Sequence, residues 1–104
     1  MARFDVYAHP DAELRKTTPY LIDVQNSFLA SLTTRVVIPL RSSEYISNRL
    51  RDLNPVFEIA GQEIVLDTAA MAAFPTALLK RPASDFSKHA AAVTGAIDTL
   101  LGSY

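Results

Sequence analysis

The sequence predicts a mainly β fold, a small antiparallel barrel followed by one C-terminal helix. Residues 20–24 and 35–40 form two runs rich in β-branched and other apolar side chains, which pack well on a pleated sheet. Ten residues, 25–34, connect these runs and contain four Ser or Thr. From residue 84 the apolar side chains recur every three to four positions, which indicates an amphipathic helix over about 84–101. We therefore expect the two runs to be the central strands of the barrel.

The composition narrows the class of protein. The 104 residues fit a single domain, 1–104, and a hydrophobic content of 49% is typical of a folded chain. The net charge of −1 provides no broad attraction to phosphate backbones, so we expect no autonomous nucleic-acid binding. The absence of cysteine excludes disulfides and thiolate metal sites. Without a signal peptide or an apolar run near ~20 residues, a cytoplasmic protein that does not contact the membrane is expected.

The first half of the chain carries three predicted strands. Residues 3–8 alternate between apolar and polar, and Pro10 ends this first strand by favouring a turn at His9. Residues 11–19 are polar and form a loop that leads into the strand at Tyr20. The run at 35–40 is continuously apolar, which predicts a central strand that stops at Pro39 because proline cannot donate to a ladder.

The middle of the chain leaves one element open. Residues 42–50 fit either a short helix with Ser42 as its N-cap or a pair of short accessory strands, and periodicity does not separate the two. Residues 56–60 and 62–67 predict a tight hairpin in which Gly61 supplies a positive φ.

The last third predicts a turn, a strand and a helix. Residues 68–74 are read as a turn into an edge strand over 75–80, which ends at residues 80–82. Ser84 then suits the N-cap of the helix, Asp85 its positive end and Gly102 a left-handed C-cap.

No catalytic or metal site is predicted, and no cofactor. The two histidines, His9 and His89, lie in different elements and lack a carboxylate at metal-ligand spacing. Gly61, Gly95 and Gly102 are scattered, so no phosphate-binding loop is present, and no serine lies in a G-x-S-x-G motif.

Charged residues suggest two further possibilities. Asp23 and Arg35 lie on the two central strands, where they form either an ion pair worth a few tenths to about 1 kcal/mol or the acid–base pair of a ribonuclease. Arg41, Arg49 and Arg51 form either a basic cluster for an acidic partner segment or a solvated face.

Phe28 and Leu29 stand out in the connection between the central strands. They are large apolar residues among Ser, Thr and Asn, where exposure is hard to avoid. They either contact a partner protein or close one end of the barrel.

Five segments resemble one family when they are taken in order. IDVQ at 22–25 is followed ten residues later by RVVIPL at 35–40, then by LNPVFEI, TAAMAAFP and AIDTLL, while FDVY at 4–7 fits the first strand. This order and spacing resemble the bacterial CcdB family, the toxins of toxin–antitoxin pairs, over nearly the whole chain.

The resemblance implies both a fold and a function. It implies an SH3-like antiparallel β-barrel, CcdB- or Kid-like, with a C-terminal helix, and it favours accessory strands over a helix at 42–50. It also implies a homodimer that binds the A subunit of DNA gyrase, poisons the enzyme on cleaved DNA and is neutralised by a CcdA-like antitoxin. Such a toxin is not an enzyme. The target-binding residues that it implies are Phe28, Leu29, Asp98, Leu101, Gly102, Ser103 and Tyr104.

The tail departs from the family pattern. The family ends in Trp-Gly-Ile, whereas an ungapped alignment places Gly102, Ser103 and Tyr104 there, and the chain contains no Trp. Asp98 also replaces an expected amide. Two alternatives therefore remain, an endoribonuclease of the Kid or MazF type and a homologue that binds antitoxin but no longer poisons gyrase.

Dimerisation is also expected from the apolar content. In so small a barrel, Leu21, Val65 and Met71 have few places to be buried within one chain. Pairing about a two-fold axis would cover such a patch.

Overall fold

A computed structural model describes residues 2–102 as a curled antiparallel sheet, a half-barrel, with one α-helix. This confirms the predicted mainly β fold with a C-terminal helix. The strands follow the order β4-β5-β3-β2-β1-β7, and β6 pairs with β3 off this path. The elements are β1 Asp5–Ala8, β2 Tyr20–Asp23, β3 Thr34–Ser42, β4 Val56–Ile59, β5 Gln62–Leu66, β6 Ala72–Pro75, β7 Pro82–Asp85 and α1 Ala90–Leu101.

β3 is the central strand, and it is longer than the sequence predicts. It pairs with β2 along one edge, and with β6 and then β5 along the other. The expected stop at Pro39 is wrong, because the strand continues to Ser42. The carbonyl of Pro39 accepts a hydrogen bond from the amide of Asp67, on the side away from β2. Amide and carbonyl of an extended residue point the same way, so the missing proline donor costs no β2–β3 hydrogen bond.

Alternation along the strands divides the apolar side chains between two faces. On one face Val6, Ile22 and Ile38 pack with Val93 and Ala96 of α1 in the larger core. On the other face Tyr7, Leu21 and Val37 form a smaller cluster, which includes Leu79. Leu21 and Val65 are thus buried within one chain, at 2% and 0% exposure, and Met71 is half-buried. The expectation that these residues need a second subunit for burial is wrong for Leu21 and Val65.

The predicted hairpin is confirmed. β4 and β5 pair from Val56 opposite Val65 to Ile59 opposite Gln62. The two turn residues, Ala60 and Gly61, have φ of 52° and 78°. Two consecutive positive φ values are typical of a type I′ turn, whose twist matches the flanking strands.

Residues 42–50 form neither of the two expected structures. A single 3₁₀ turn covers Ser43–Tyr45, and no strand or α-helix is assigned between Ser42 and Val56. Ser42 is buried, and its hydroxyl accepts a hydrogen bond from the side chain of Gln62 instead of capping a helix. Ser42, which the sequence pattern predicts as an N-cap, therefore belongs to the ladder between β3 and β5.

The C-terminal third differs from the prediction in its boundaries. The strand expected at 75–80 lies earlier, at β6, and the 3₁₀ turn Thr76–Leu78 follows it. Residues 82–85 form β7, which pairs with β1, so the α-helix begins at Ala90 and not near Ser84.

The C-terminal end of α1 has a cap, and a hydrogen bond at Asp85 precedes the helical region. The carboxylate of Asp85 accepts the amide of Ser87, which lowers the pKa of Asp85. Gly102 ends the helix at φ 74° and donates its amide to the carbonyl of Asp98, as predicted for a left-handed C-cap. Within residues 2–102, no helix has the length and apolar character needed to span a membrane.

Candidate functional site

The turn after β2 carries the most exposed large apolar side chain. Phe28 is 95% exposed, and Leu29 and Leu32 are 45% and 48% exposed. We name these three residues the Phe28 patch. The sequence expectation that Phe28 and Leu29 are exposed is confirmed, and Phe28 does not close an end of the barrel within this chain.

Local hydrogen bonds explain why Phe28 points outward. Residues 27–29 form a 3₁₀ turn in which the side chain of Asn26 accepts the amide of Phe28 at 2.9 Å. The carbonyl of Asn26 accepts the amide of Leu29 at 3.0 Å. Asn26 caps the turn as it would cap a helix. Its hydrogen bonds therefore set the direction in which the side chain of Phe28 leaves the turn.

An ion pair lies beneath this turn. Arg35 donates through Nε and Nη2 to the two carboxylate oxygens of Asp23, at 2.8 and 3.0 Å. Both side chains are 0% exposed, so the predicted cross-strand contact is confirmed, and removing one partner would cost more than the surface value of about 1 kcal/mol because it leaves a buried charge unpaired. The two charges compensate each other in a site that excludes water.

The burial of this pair bears on the ribonuclease alternative. A general acid or base must come within hydrogen-bond reach of its substrate, and neither Asp23 nor Arg35 presents surface to solvent. Burial is the largest cause of the raised pKa of Tyr7, and the charges of Asp23 and Arg35 also affect this pKa. In this conformation the pair is a structural feature of the sheet, not an accessible acid–base site.

The end of α1 forms the second predicted target surface. Leu101 is 68% exposed and Gly102 is exposed, while Asp98 is partly buried. Ser103 and Tyr104 lie outside the described residues. Since Phe28 is 95% exposed, it does not pack against this end of the helix.

The three arginines predicted as one basic cluster have different surroundings. Arg41 is partly buried and contacts Asp67 at 2.6 Å and the hydroxyl of Thr18. Arg49 approaches Glu63 at 3.6 Å on the exposed surface, and Arg51 is exposed. Arg41 is therefore committed to structural contacts, and the solvated-face interpretation fits the other two.

The histidines occupy aromatic surroundings. His9 is buried, packs edge-to-face on Phe74 and accepts the amide of Asp11 at Nδ1. Burial is the main cause of its lowered pKa. His89 contacts the rings of Phe57 and Phe86.

A shallow groove of about 380 Å³ adjoins His9. Its floor and walls are mainly apolar, including Leu14, Phe74 and Leu78. Arg15, Lys80 and Arg81 lie beside the adjoining hollow, which shares His9 and Leu78. Sequence reasoning missed this groove because its residues come from two segments, 9–14 and 74–78, that lie far apart in the chain.

Sequence reasoning also missed the role of Gln25 and Asn26. Their amides hold the turn that carries Phe28, but polar residues in a connection are also typical of ordinary loops. The one signal in the sequence was the placement of Gln25 on the face opposite Val24, at the end of a buried strand.

Comparison with known proteins supports the resemblance noted in the sequence. A family model described as "CcdB protein" matches residues 3–102 of the 104. No curated protein matches the chain.

Proposed function

The chain belongs to the CcdB family of toxins from toxin–antitoxin systems, and from this premise we propose that it binds the A subunit of DNA gyrase and poisons the enzyme on cleaved DNA. The observation that carries the proposal is the family match over residues 3–102. The exposed Phe28 patch supports it, because a large aromatic side chain at 95% exposure is suited to bind a partner.

The proposed mechanism is binding, without catalysis by the toxin. Aromatic and aliphatic side chains that become buried at an interface supply much of its binding free energy. Phe28 and Leu29 would enter an apolar surface of gyrase A, and Leu101 and Gly102 would contribute from the helix end. The toxin would then hold gyrase in the state in which its own DNA cleavage is incomplete.

Gyrase assays test this proposal directly. Purified protein is incubated with gyrase, ATP and supercoiled plasmid, and cleaved plasmid is measured after denaturation of the gyrase. We expect cleaved DNA with the wild type and at least tenfold less with Phe28→Ala. Because Phe28 is exposed, the variant should keep its unfolding free energy to within about 0.5 kcal/mol.

Two outcomes would replace the proposal. Binding to a gyrase A fragment without plasmid cleavage would favour the homologue that no longer poisons, for which the missing Trp-Gly-Ile tail is the supporting observation. Cleavage of RNA by the wild type, with no effect on gyrase, would favour the ribonuclease.

The sequence of the tail predicts that this protein binds gyrase A more weakly than a relative that ends in Trp-Gly-Ile. A terminal Trp buries a large surface, and losing such a hot spot costs at least ~2 kcal/mol. Tyr104 is the aromatic residue that could replace it. We expect Gly102→Trp to gain affinity for a gyrase A fragment and Tyr104→Ala to lose it.

The matched control for the tail is Gly102→Ala. The φ of 74° at Gly102 strains any other residue, so the alanine variant measures the backbone cost without an aromatic ring. If Gly102→Trp binds no better than Gly102→Ala, and Tyr104→Ala equals the wild type, the tail is not a target-binding segment.

We also propose that the apolar groove beside His9 receives a segment of a CcdA-like antitoxin. Its apolar floor and the neighbouring Arg15, Lys80 and Arg81 suit a segment with apolar residues and adjacent carboxylates. Leu78 is 43% exposed, so Leu78→Asp should fold but lose its complex with a CcdA-like antitoxin. An unchanged complex would place the antitoxin elsewhere.

The homodimer stays a proposal that rests on the family. The exposed apolar residues that the other proposals do not use, Tyr45, Leu50 and Val56, are candidates for its interface. Sedimentation at micromolar concentration should give twice the mass of the 11.4 kDa chain. A monomeric mass would contradict the dimer.

A further inference from the structure

The side chain of Gln25 joins both ends of the connection that carries the Phe28 patch. Its Oε1 accepts the amide of Val36 at 2.9 Å. Its Nε2 donates to the carbonyls of Thr34 at 3.2 Å and Leu29 at 3.4 Å. One carboxamide, 8% exposed, thus links the end of β2 to the start of β3 and to the turn between them.

The backbone of Gln25 is fixed by the buried ion pair. Its amide donates to Oδ1 of Asp23 at 2.9 Å, and its carbonyl accepts from Nη2 of Arg35 at 3.1 Å. Since Asp23 and Arg35 are both 0% exposed, the two anchors are shielded from competition by water.

We propose that Gln25 is a positioning residue of the target-binding surface, which holds the backbone of the turn that carries Phe28 in one conformation before the target binds. This inference rests on the proposed function, in which Phe28 contacts gyrase A. Gln25 itself is buried and acts through the turn at Ser27–Leu29, so it would not touch the target.

The physical argument is one of conformational entropy. At 95% exposure the ring of Phe28 has almost no packing, so only the backbone of the turn limits where its side chain leaves the surface. A connection free to sample other conformations would have to be ordered during binding, at a cost in affinity. Gln25 removes that cost in advance because its hydrogen bonds end on the turn at Leu29 and on both strands.

The first experiment is a double-mutant cycle. Gln25→Leu keeps the volume of the side chain but leaves the amide of Val36 and the carbonyl of Thr34 without their partner, while the carbonyl of Leu29 keeps only the amide of Leu32. We expect its affinity for a gyrase A fragment to fall about tenfold. In the background of Phe28→Ala the same substitution should change affinity less than threefold, because Gln25 acts through Phe28.

Asn54→Ala is the matched control for a purely structural role. Asn54 is also a buried carboxamide at 8% exposure, and it holds the connection after β3 by hydrogen bonds with Leu50 and Leu66. Its loss should lower the urea midpoint of unfolding while affinity stays within twofold of the wild type. An equal loss of affinity in both variants would show that Gln25 contributes only stability and would overturn the inference.

Hydrogen exchange in the free protein separates this inference from the proposed function. We expect the amides of Leu29 and Leu32 to exchange at least tenfold faster in Gln25→Leu and unchanged in Asn54→Ala. If Phe28→Ala leaves gyrase binding intact, the proposed target surface is wrong, whereas the exchange rates still decide whether Gln25 orders the turn. Unchanged exchange at both amides overturns the inference.

A second variant covers the case in which Gln25→Leu does not fold. Gln25→Asn keeps the carboxamide but shortens it by one methylene, so it cannot reach both Val36 and Leu29. Faster exchange at Leu29 with a native circular dichroism spectrum supports the inference, and wild-type exchange contradicts it.

Discussion

The two connections next to β3 are each held by a buried carboxamide side chain. They differ in the exposure of the ion pair that accompanies it. The first, between β2 and β3, depends on Gln25 and on a fully buried ion pair. The second, between β3 and β4, depends on Asn54 and on an ion pair, Arg49 with Glu63, whose side chains are 41% and 59% exposed. The connection that carries the exposed Phe28 is thus the one with the more deeply buried support. The difference indicates that a highly exposed side chain can stand on a connection that an interior polar network holds.

Removing one member of the buried ion pair should give the largest effect. Arg35→Ala leaves the carboxylate of Asp23 buried without its cation, which costs roughly 3–5 kcal/mol of the unfolding free energy. Urea denaturation followed by circular dichroism measures this loss. The control replaces both charges, Asp23→Leu with Arg35→Leu, and should recover part of the stability. A loss below about 1 kcal/mol would make the pair equivalent to a surface contact.

Removing the carboxamide of the second connection should cost less. Asn54→Ala leaves the carbonyl of Leu66 and the amide of Leu50 without their partner, at about 1–3 kcal/mol of unfolding free energy. Asn48→Ala, an exposed substitution in the same connection, is the matched control and should stay within about 0.5 kcal/mol. Equal effects of the two variants would mean that the connection contributes nothing through Asn54.

The connection between β1 and β2 extends the comparison, because His9, the side chain that holds it, can gain a proton. Nδ1 of His9 accepts the amide of Asp11, which requires that nitrogen to be unprotonated. Burial lowers the pKa of His9, with smaller contributions from Arg15 and Arg41 that lower it and from Asp11 that raises it. As the pH falls, His9 therefore gains its proton near pH 6.5 in the unfolded chain and only at a lower pH in the folded chain.

We expect the unfolding free energy to fall as the pH drops below about 6.5 and through the folded pKa. Urea midpoints at pH 7.5 and pH 5.5 measure the change for the wild type and for His9→Gln. The difference between the two proteins should shrink at the lower pH, because only the wild type loses stability through His9. Carboxylates titrate in both proteins, so their contribution cancels. A difference that is independent of pH would show that His9 keeps one charge state.

The exposed ion pair should give the smallest effect. Arg49 and Glu63 are 3.6 Å apart and well solvated, so Arg49→Ala should change the unfolding free energy by less than about 0.5 kcal/mol. The measurement is again the urea midpoint, at low and at physiological salt. A loss above about 1 kcal/mol would remove the contrast between the two connections.

Hydrophobic patterning predicted the fold class and the central strands because Val, Ile and Leu at 20–24 and 35–40 face two cores. Turn chemistry predicted the hairpin at Gly61, where the structure shows a positive φ that Ala60 shares. Both signals are local. They identify elements without reference to the rest of the chain.

Elements whose partners lie far away were predicted poorly. β7 reads as the start of a helix because Ser84 and Asp85 resemble a cap, but pairing with β1 outweighs this local preference. The extent of β3 likewise depends on strands that begin twenty or more residues later. Of the candidate site, the exposure of Phe28 was predicted, while the role of Gln25 depends on contacts that span the connection.

The pairing of β1 with β7 also sets the order in which the molecule can be made. Asp5 lies opposite Asp85, and the larger core includes Val93 and Ala96 from the helix after β7. During translation the outer edge of the first strand is therefore covered only after residues 82–85 have been synthesised. Such long-range pairing folds slowly, because loop closure precedes the contacts that stabilise it. The complete sheet, and any surface that depends on it, therefore forms only after β7 has been synthesised.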